Sequence, residues 1–306
     1  MIIGYRMPQL FCDVYTITCL YQGGFSLPQA STLQWASSLG FVITEEANIM
    51  NWLQHILSQK DIVTIDVVGD SITYGMNHCT AEETYVAQFA VMLAKDYPEC
   101  TVNRYDGIVT DELLPMQGFD GPITIQTGTS DKFINIIRNG IGGNTVQRAL
   151  KRIDDFTGIL ADGNVADVTF FMFGINDALK SNPKKYVSVE QFVENYKSLL
   201  REVRRINGDK MIVLMSPTWN DISVEEYSEA VKKLAEKEGI PFADQYAVWK
   251  EHYDEDVAHF GHGDWLSDCP GDACHPTPLG AYQIAMCMYS AFIGIRILSE
   301  GHEDDC

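Results

Sequence analysis

Two hydrophobic patterns alternate along the chain and predict strands and helices in turn. Short runs of β-branched or nearly all-apolar residues predict buried strands at 61–68, 132–138, 167–173, 210–215 and 241–244. Apolar residues at three- and four-residue spacing predict helices at 82–97, after 143, at 192–206, around 227–234 and at 279–298. Such alternation indicates βαβ units with right-handed crossovers. The pattern therefore predicts a three-layer α/β/α sandwich with a mainly parallel, five-stranded sheet.

Two segments do not follow this alternation. Residues 1–60 have a largely helical pattern that includes Trp35, Trp52 and Leu53, and we expect an appendage to a domain at 61–306. Its apolar residues need a covering surface, either on the same chain or in a homo-oligomer. Residues 104–128 are rich in Gly, Asp and Pro and predict an insertion, with a hairpin as one form it could take.

Charge and composition exclude several classes of partner. The chain has 42 Asp and Glu against 22 Lys and Arg, which gives a net charge of −20. This charge repels a phosphate backbone and an anionic membrane surface, so we expect neither nucleic acid nor membrane as a partner. No apolar run reaches the length of about 18 residues that spans a bilayer. The cysteines are too few for a disulfide scaffold and no secretory signal is evident, which favours the cytoplasm.

Glycine and polar residues follow three of the predicted strands, at the sheet edge where α/β proteins bind ligands. These segments are Gly69-Asp70-Ser71, Gly140-Ile141-Gly142-Gly143-Asn144-Thr145 and Gly174-Ile175-Asn176-Asp177. Each segment, taken alone, also has an ordinary interpretation as a turn or a helix cap. Glycine in such a position lets backbone N–H groups approach a ligand closely.

A carboxylate and a histidine stand just before the last predicted helix. Asp272 precedes His275 by three residues, so one turn would let the carboxylate accept the imidazole Nδ1–H and leave Nε2 as a base. A surface loop is the structural alternative. A metal site and a Cys269–Cys274 disulfide are two further alternatives, and the residues considered as ligands are Cys269, Cys274, His275, His262 and Asp264.

Taken together and in this order, the four segments resemble the SGNH (GDSL) hydrolase family. The resemblance extends over about 61–298 and implies a flavodoxin-like α/β/α fold. It also implies a serine esterase that acts through an acyl-enzyme without a metal or other cofactor. Asn144 departs from the family pattern, because many members have Asp at this position.

The resemblance also implies a role for each matching residue. Ser71 would be the nucleophile, His275 the general base and Asp272 the carboxylate that orients the base. The oxyanion hole would comprise the backbone N–H groups of Ser71 and Gly143 and the side-chain amide of Asn176. Preorganised donors of this kind stabilise the charge that develops in a tetrahedral intermediate.

The substrate is expected to be a small-molecule or carbohydrate ester with a short acyl group, acetyl above all. Trp219, Trp249, Tyr253 and Trp265 could stack on a sugar, although aromatic residues more often pack in the interior. The candidate substrate-binding residues are Asp70, Asn144, Asp177, Trp219 and Trp265. The alternatives are a thioesterase or lysophospholipase type of acyl hydrolase, and a ligand-binding protein that keeps the fold without catalysis.

Overall fold

Most of the chain after residue 48 is described by the computed structural model. The described residues are 49–76, 79–109, 118–153, 165–208, 210–218, 224–256, 265–266 and 274–298. Residues 49–297 form one compact unit, so the segment at 52–59, which the sequence analysis assigned to the appendage, belongs to this unit. Residues 49–51 and 60 are also described, whereas residues 1–48 of the predicted appendage lie outside the described residues.

The elements alternate along the chain largely as the pattern predicts. The strands are β1 (Ile49–Asn51), β2 (Ile62–Gly69), β3 (Thr101–Gly107), β4 (Phe119–Gln126), β5 (Phe133–Gly140), β6 (Val168–Met172), β7 (Met211–Met215), β8 (Phe242–Ala243) and β9 (Arg296–Leu298). The helices are α1 (Trp52–Gln59), α2 (Ser71–Tyr74), α3 (Tyr85–Asp96), α4 (Val146–Lys151), α5 (Val189–Asn207), α6 (Glu225–Glu238), α7 (Gln245–Asp256) and α8 (Pro278–Gly294).

The central sheet has seven strands in the order β4-β3-β5-β2-β6-β7-β8, flanked by helices. Its neighbouring strands are parallel, except that β4 runs antiparallel to β3. The predicted α/β fold with a mainly parallel sheet is confirmed, but the strand count of five is too low. The additional strands are β3 and β4, a hairpin pair at one edge that covers much of the segment predicted as an insertion. A separate two-stranded sheet pairs β1 with β9.

Aromatic packing on one face of the sheet joins the first and last helices of the unit to its centre. Phe170 on β6 lies 5.6 Å from Phe292 on α8 and 5.9 Å from Phe89 on α3, measured between ring centroids in edge-on geometry. Trp52 on α1 lies 5.7 Å from Phe292. Buried aromatic rings of this kind contribute both apolar burial and a favourable ring orientation. These contacts pack α1, α3 and α8 against the centre of the sheet.

Within the part of the chain that the structure describes, every helix is too short or too polar to cross a membrane.

Candidate active site

Ser71 begins the short helix α2, directly after β2 ends at Gly69. Asp70 caps this helix, since its side chain accepts a hydrogen bond from the Ile72 N–H at 3.0 Å. The Tyr74 N–H donates to the Asp70 carbonyl at 3.0 Å and closes the turn. The serine side chain is partly exposed at the carboxyl edge of the sheet, where a substrate can reach it.

Two glycines allow this turn to lie directly against the strand ends. A Cβ atom on Gly140 would lie 2.2 Å from the Tyr74 nitrogen and 2.6 Å from the Thr73 carbonyl carbon. A Cβ atom on Gly69 would lie 2.0 Å from the Thr73 Oγ1. All three distances are far inside van der Waals contact, so a larger residue at either site would displace the serine turn.

The structure brings His275 to the serine. Its Nε2 lies 2.8 Å from the Ser71 Oγ, within the range that proton transfer requires. The chain directly after it is anchored, because the Thr277 N–H donates to the Trp265 carbonyl at 2.9 Å and the Thr277 side chain caps α8. Asp272, the predicted orienting carboxylate, lies outside the described residues, as does Cys269.

Asn176 follows β6 in a turn that includes Gly174 at φ 134°. Its Nδ2 donates to the Asp70 Oδ2 at 3.3 Å, and its Oδ1 accepts from the Lys185 Nζ at 3.2 Å. The side chain is thus linked to the residue that precedes the serine. The amide lies beside the serine turn, although it comes from a different strand.

Gly143 lies in the loop between β5 and α4, with a left-handed backbone at φ 67°. The loop is held against the end of β2, since the Gly69 carbonyl accepts from the Ile141 N–H and from the Asn144 Nδ2, each at 3.3 Å. Asn144 is buried and has this structural partner. Substrate contact by Asn144 stays a prediction.

Burial raises the pKa of Asp70 to about 6, against an ordinary value of 3.8. The Ile72 N–H, the charge of His275, the Asn176 amide and the Lys185 ammonium act in the opposite direction. A carboxylate beside the nucleophile therefore changes charge close to neutral pH. Its position in the interior of the turn makes it part of the framework that holds the serine.

Asp177 is fully buried and joins two of the loops around the site. Its Oδ1 accepts from the Val146 N–H at the start of α4, at 3.2 Å. Burial raises its pKa to about 8, with Asp70 as a further contribution in the same direction and the Val146 N–H opposing both. The hydrogen-bond partner of its Oδ1 in this structure is a backbone N–H group. Substrate contact by Asp177 stays a prediction.

The described residues among the predicted sugar-stacking aromatics are buried. Trp249 is fully buried, Tyr253 is 2% exposed and Trp265 is 8% exposed. The Trp265 ring is stacked on the His252 ring at a centroid distance of 3.6 Å, so that face is closed to a sugar. The packing alternative therefore applies to Trp249, which has no exposed surface for a sugar, and Trp265 offers little exposed surface. Trp219 lies outside the described residues.

A metal site is not visible in what is described: no three His, Cys, Asp or Glu side chains among those residues are grouped to hold an ion. His262, Asp264 and Cys269, three of the residues considered as ligands, lie outside them. The Cys274 Sγ is 3.7 Å from the His275 Nδ1.

A buried charged cluster beside the serine turn was not predicted from the sequence. Arg138 on β5 donates from Nη1 to the Tyr74 carbonyl and from Nε to the Asp106 Oδ1, the latter at 2.9 Å. Arg104 on β3 lies 2.9 Å from the same carboxylate oxygen. The cluster stabilises the carboxyl end of α2. Its only sequence signal is charge within a strand, which is not specific.

A partly exposed serine lies against a histidine at the carboxyl ends of a parallel α/β sheet, and this arrangement is typical of hydrolases with a serine nucleophile. The chain belongs to the GDSL-like lipase/acylhydrolase family, whose model matches residues 67–282. The predicted resemblance to this family is thereby confirmed, and the protein is a carboxylic ester hydrolase. No curated protein matches the sequence significantly.

Solved structures share the fold at low sequence identity. The acetyl xylan esterase AlAXEase is 20% identical with a TM-score of 0.52, over 76% of this chain and 100% of that one. A variant of the acetyl-xylooligosaccharide esterase Axe2 from Geobacillus is 22% identical with a TM-score of 0.51, over 76% and 94%. The two-domain esterase CEX, active on acetylated mannans, is 17% identical with a TM-score of 0.53, over 78% and 52%. These likenesses show a shared fold.

Proposed function

We propose that the protein removes short acyl groups, acetyl above all, from carbohydrate esters through an acyl-enzyme formed on Ser71. The observation that carries the proposal is the 2.8 Å separation of the Ser71 Oγ and the His275 Nε2 at the carboxyl edge of the sheet. A hydroxyl is a weak nucleophile at neutral pH, and a base at this distance activates it.

In the first step His275 Nε2 takes the proton of Ser71 as Oγ bonds to the ester carbonyl carbon. The carbonyl π electrons move to its oxygen. The N–H groups of Ser71 and Gly143 and the Nδ2 of Asn176 would donate to this oxyanion. Asp272 would accept the Nδ1–H and hold the imidazole in the required tautomer.

The tetrahedral intermediate then collapses and the bond to the alcohol oxygen breaks. His275 donates its proton to that oxygen, the alcohol leaves and the acyl group remains on Ser71. A water molecule repeats the sequence, giving its proton to Nε2 and its oxygen to the acyl carbon. The carboxylic acid leaves, and Oγ recovers its proton. Each proton transfer in this proposal uses a group on the chain.

Two considerations support a short acyl group on a sugar. Three structural neighbours are, by their descriptions, esterases of acetylated xylan, xylooligosaccharide or mannan. The net charge of −20 opposes adsorption to an anionic lipid interface, where a long-chain lipase would work. These considerations favour a polar, freely diffusing ester.

The test is hydrolysis of p-nitrophenyl esters from acetyl to dodecanoyl, together with acetylated xylan and mannan oligosaccharides. We expect activity to be highest for acetyl and acetate to be released from the oligosaccharides. Ser71→Ala should lower kcat by several orders of magnitude while the protein stays folded. Ser58→Ala is a matched control, because Ser58 lies on α1 and donates only to the His55 carbonyl.

Three outcomes would contradict the proposal. Activity that rises with chain length and spares the sugars would indicate a thioesterase or lysophospholipase type of hydrolase. A folded Ser71→Ala protein with full activity would exclude the serine mechanism. A folded native protein inactive on the whole panel, yet binding an acetylated sugar, would indicate a ligand-binding protein.

A further inference from the structure

The amide of Asn176 must present a particular end to the nucleophile if it is to stabilise an oxyanion. Only the Nδ2 end carries hydrogens, whereas the Oδ1 end would repel the negative oxygen. A rotation of 180° about the terminal side-chain bond exchanges the two ends with little change of shape. The orientation of the amide therefore depends on its neighbours.

Two neighbours select the same orientation. Lys185 Nζ lies 3.2 Å from Oδ1, and an ammonium group has three donors and no acceptor, so it requires the oxygen end. Asp70 Oδ2 lies 3.3 Å from Nδ2, and an ionised carboxylate only accepts, so it requires the nitrogen end. One Nδ2 hydrogen is directed to Asp70, and the second is available to another acceptor.

The loop that carries Lys185 is fastened close to the site. It connects β6 to α5, and Lys185 follows Asn176 by nine residues. The Lys185 N–H donates to the Asn182 carbonyl at 2.9 Å. Further along, the Val187 N–H donates to the Asp177 carbonyl at 3.0 Å, and the Val187 carbonyl accepts from the Tyr227 hydroxyl at 2.5 Å. The ammonium group is thus presented by an ordered segment.

Lys185 directs its charge to the amide. It is partly buried, and among the described residues no carboxylate forms an ion pair with it. Elsewhere the described lysines 60, 210, 232 and 250 each have an acidic partner within 3.2 Å. A hydrogen bond from an ammonium group polarises the amide and makes its N–H a stronger donor.

We propose that Lys185 is a positioning residue that holds the Asn176 amide with Nδ2 toward the oxyanion and strengthens its N–H as a donor. The proposal rests on the proposed function, because it assumes that Asn176 donates to the transition state. Lys185 itself need not touch the substrate. Its removal should therefore lower kcat and leave KM nearly unchanged.

The first experiment compares Lys185→Met with Lys184→Met on the preferred ester. Loss of a whole oxyanion donor lowers kcat by about 10²–10³-fold, so loss of its orientation should lower kcat by about 10-fold. Lys184 is the matched control, since it is exposed in the same loop and, among the described residues, its side chain makes no contact with the site. We expect the kcat and KM of Lys184→Met to stay within about 2-fold of the native values.

The second experiment is a double-mutant cycle with Asn176→Ala. If Lys185 acts through Asn176, Lys185→Met should have no further effect on kcat in the Asn176→Ala protein. Lys185→Gln should recover part of the loss in kcat, because the glutamine amide can donate to the same oxygen. This variant also replaces Lys185→Met in the comparison if Lys185→Met does not fold. Thermal unfolding of every variant separates loss of catalysis from loss of structure.

Several results would overturn the proposal. These are an unchanged kcat in Lys185→Met, a rise in KM alone, and an equal loss of kcat with and without Asn176. The second result would make Lys185 a substrate contact, and the third would give it an effect independent of the amide. Failure of the proposed function is distinguishable, since then Ser71→Ala or Asn176→Ala would itself leave kcat unchanged.

Discussion

Asn in place of Asp177 should change how the free energy of unfolding depends on pH. The buried carboxyl group has its pKa raised from 3.8 to about 8, mainly by burial. The folded protein therefore retains a proton that the unfolded chain releases near pH 4. The stabilisation that this protonated group gives to the folded protein is fully present below the pKa of the unfolded chain. It is lost as pH rises toward the folded-state pKa of about 8.

The magnitude follows from proton linkage. One extra bound proton in the folded state makes the free energy of unfolding fall by about 1.4 kcal/mol per pH unit. From about pH 4 to about pH 7 this amounts to about 4 kcal/mol. Asn does not titrate, and its Oδ1 can still accept from the Val146 N–H. The free energy of unfolding of Asp177→Asn, relative to that of the native protein, should therefore rise by about 1.4 kcal/mol per pH unit over this range.

The assay is urea unfolding of both proteins at pH 4, 5, 6 and 7, since extrapolation to water gives each free energy. The difference between the two proteins is the relevant quantity, because the Asp70 carboxyl and the other groups titrate in both. Asp131→Asn provides a control at an exposed carboxyl group. A difference between native and Asp177→Asn proteins that does not change with pH would refute the reasoning.

Three further predictions follow from packing and from the proposed chemistry. Gly140→Ala should lower kcat by about 10-fold or more, since its Cβ would meet the Tyr74 nitrogen at 2.2 Å; native steady-state kinetics would contradict it. Trp52→Ala should lower the free energy of unfolding in urea by about 3–5 kcal/mol, and a loss below about 1 kcal/mol would mean that Trp52 is not a core residue. EDTA should leave ester hydrolysis unchanged, whereas inactivation reversed by zinc would favour the metal alternative at Cys269, Cys274 and His275.

The sequence predicted the strands that consist mainly of apolar and β-branched residues. β6, from Val168 to Met172, is buried at every position and has no polar residue except Thr169. β3 was missed because its buried positions include Asn103, Arg104 and Asp106. Their polarity is compensated in the fold, for example by the bond from Asn103 Nδ2 to Asn135 Oδ1 at 3.2 Å. That partner is distant in the sequence, so the pattern could not show it.

In the candidate active site, too, contacts between residues distant in the sequence could not be predicted from local patterns. Ser71 and His275 could be singled out because each lies in a short local motif, although 204 residues separate them. Lys185 could not, because its importance depends on one contact with Asn176 that no local spacing indicates. The sequence left two roles open for Trp249, because an indole ring suits both a core and a sugar surface, and only the packing around it distinguishes the two.

The pairing of β1 with β9 places the two ends of the folded unit side by side. Neighbouring strands are about 4.8 Å apart, and the Trp52 N–H donates to the Ile295 carbonyl at 3.0 Å. A unit whose ends adjoin can be circularly permuted, with a short linker joining 297 to 49 and new termini opened at the exposed Gly208. It can equally be inserted into a surface loop of another protein without separating the ends of that loop. The pairing of β1 with β9 therefore makes residues 49–297 suitable for transfer as one intact unit.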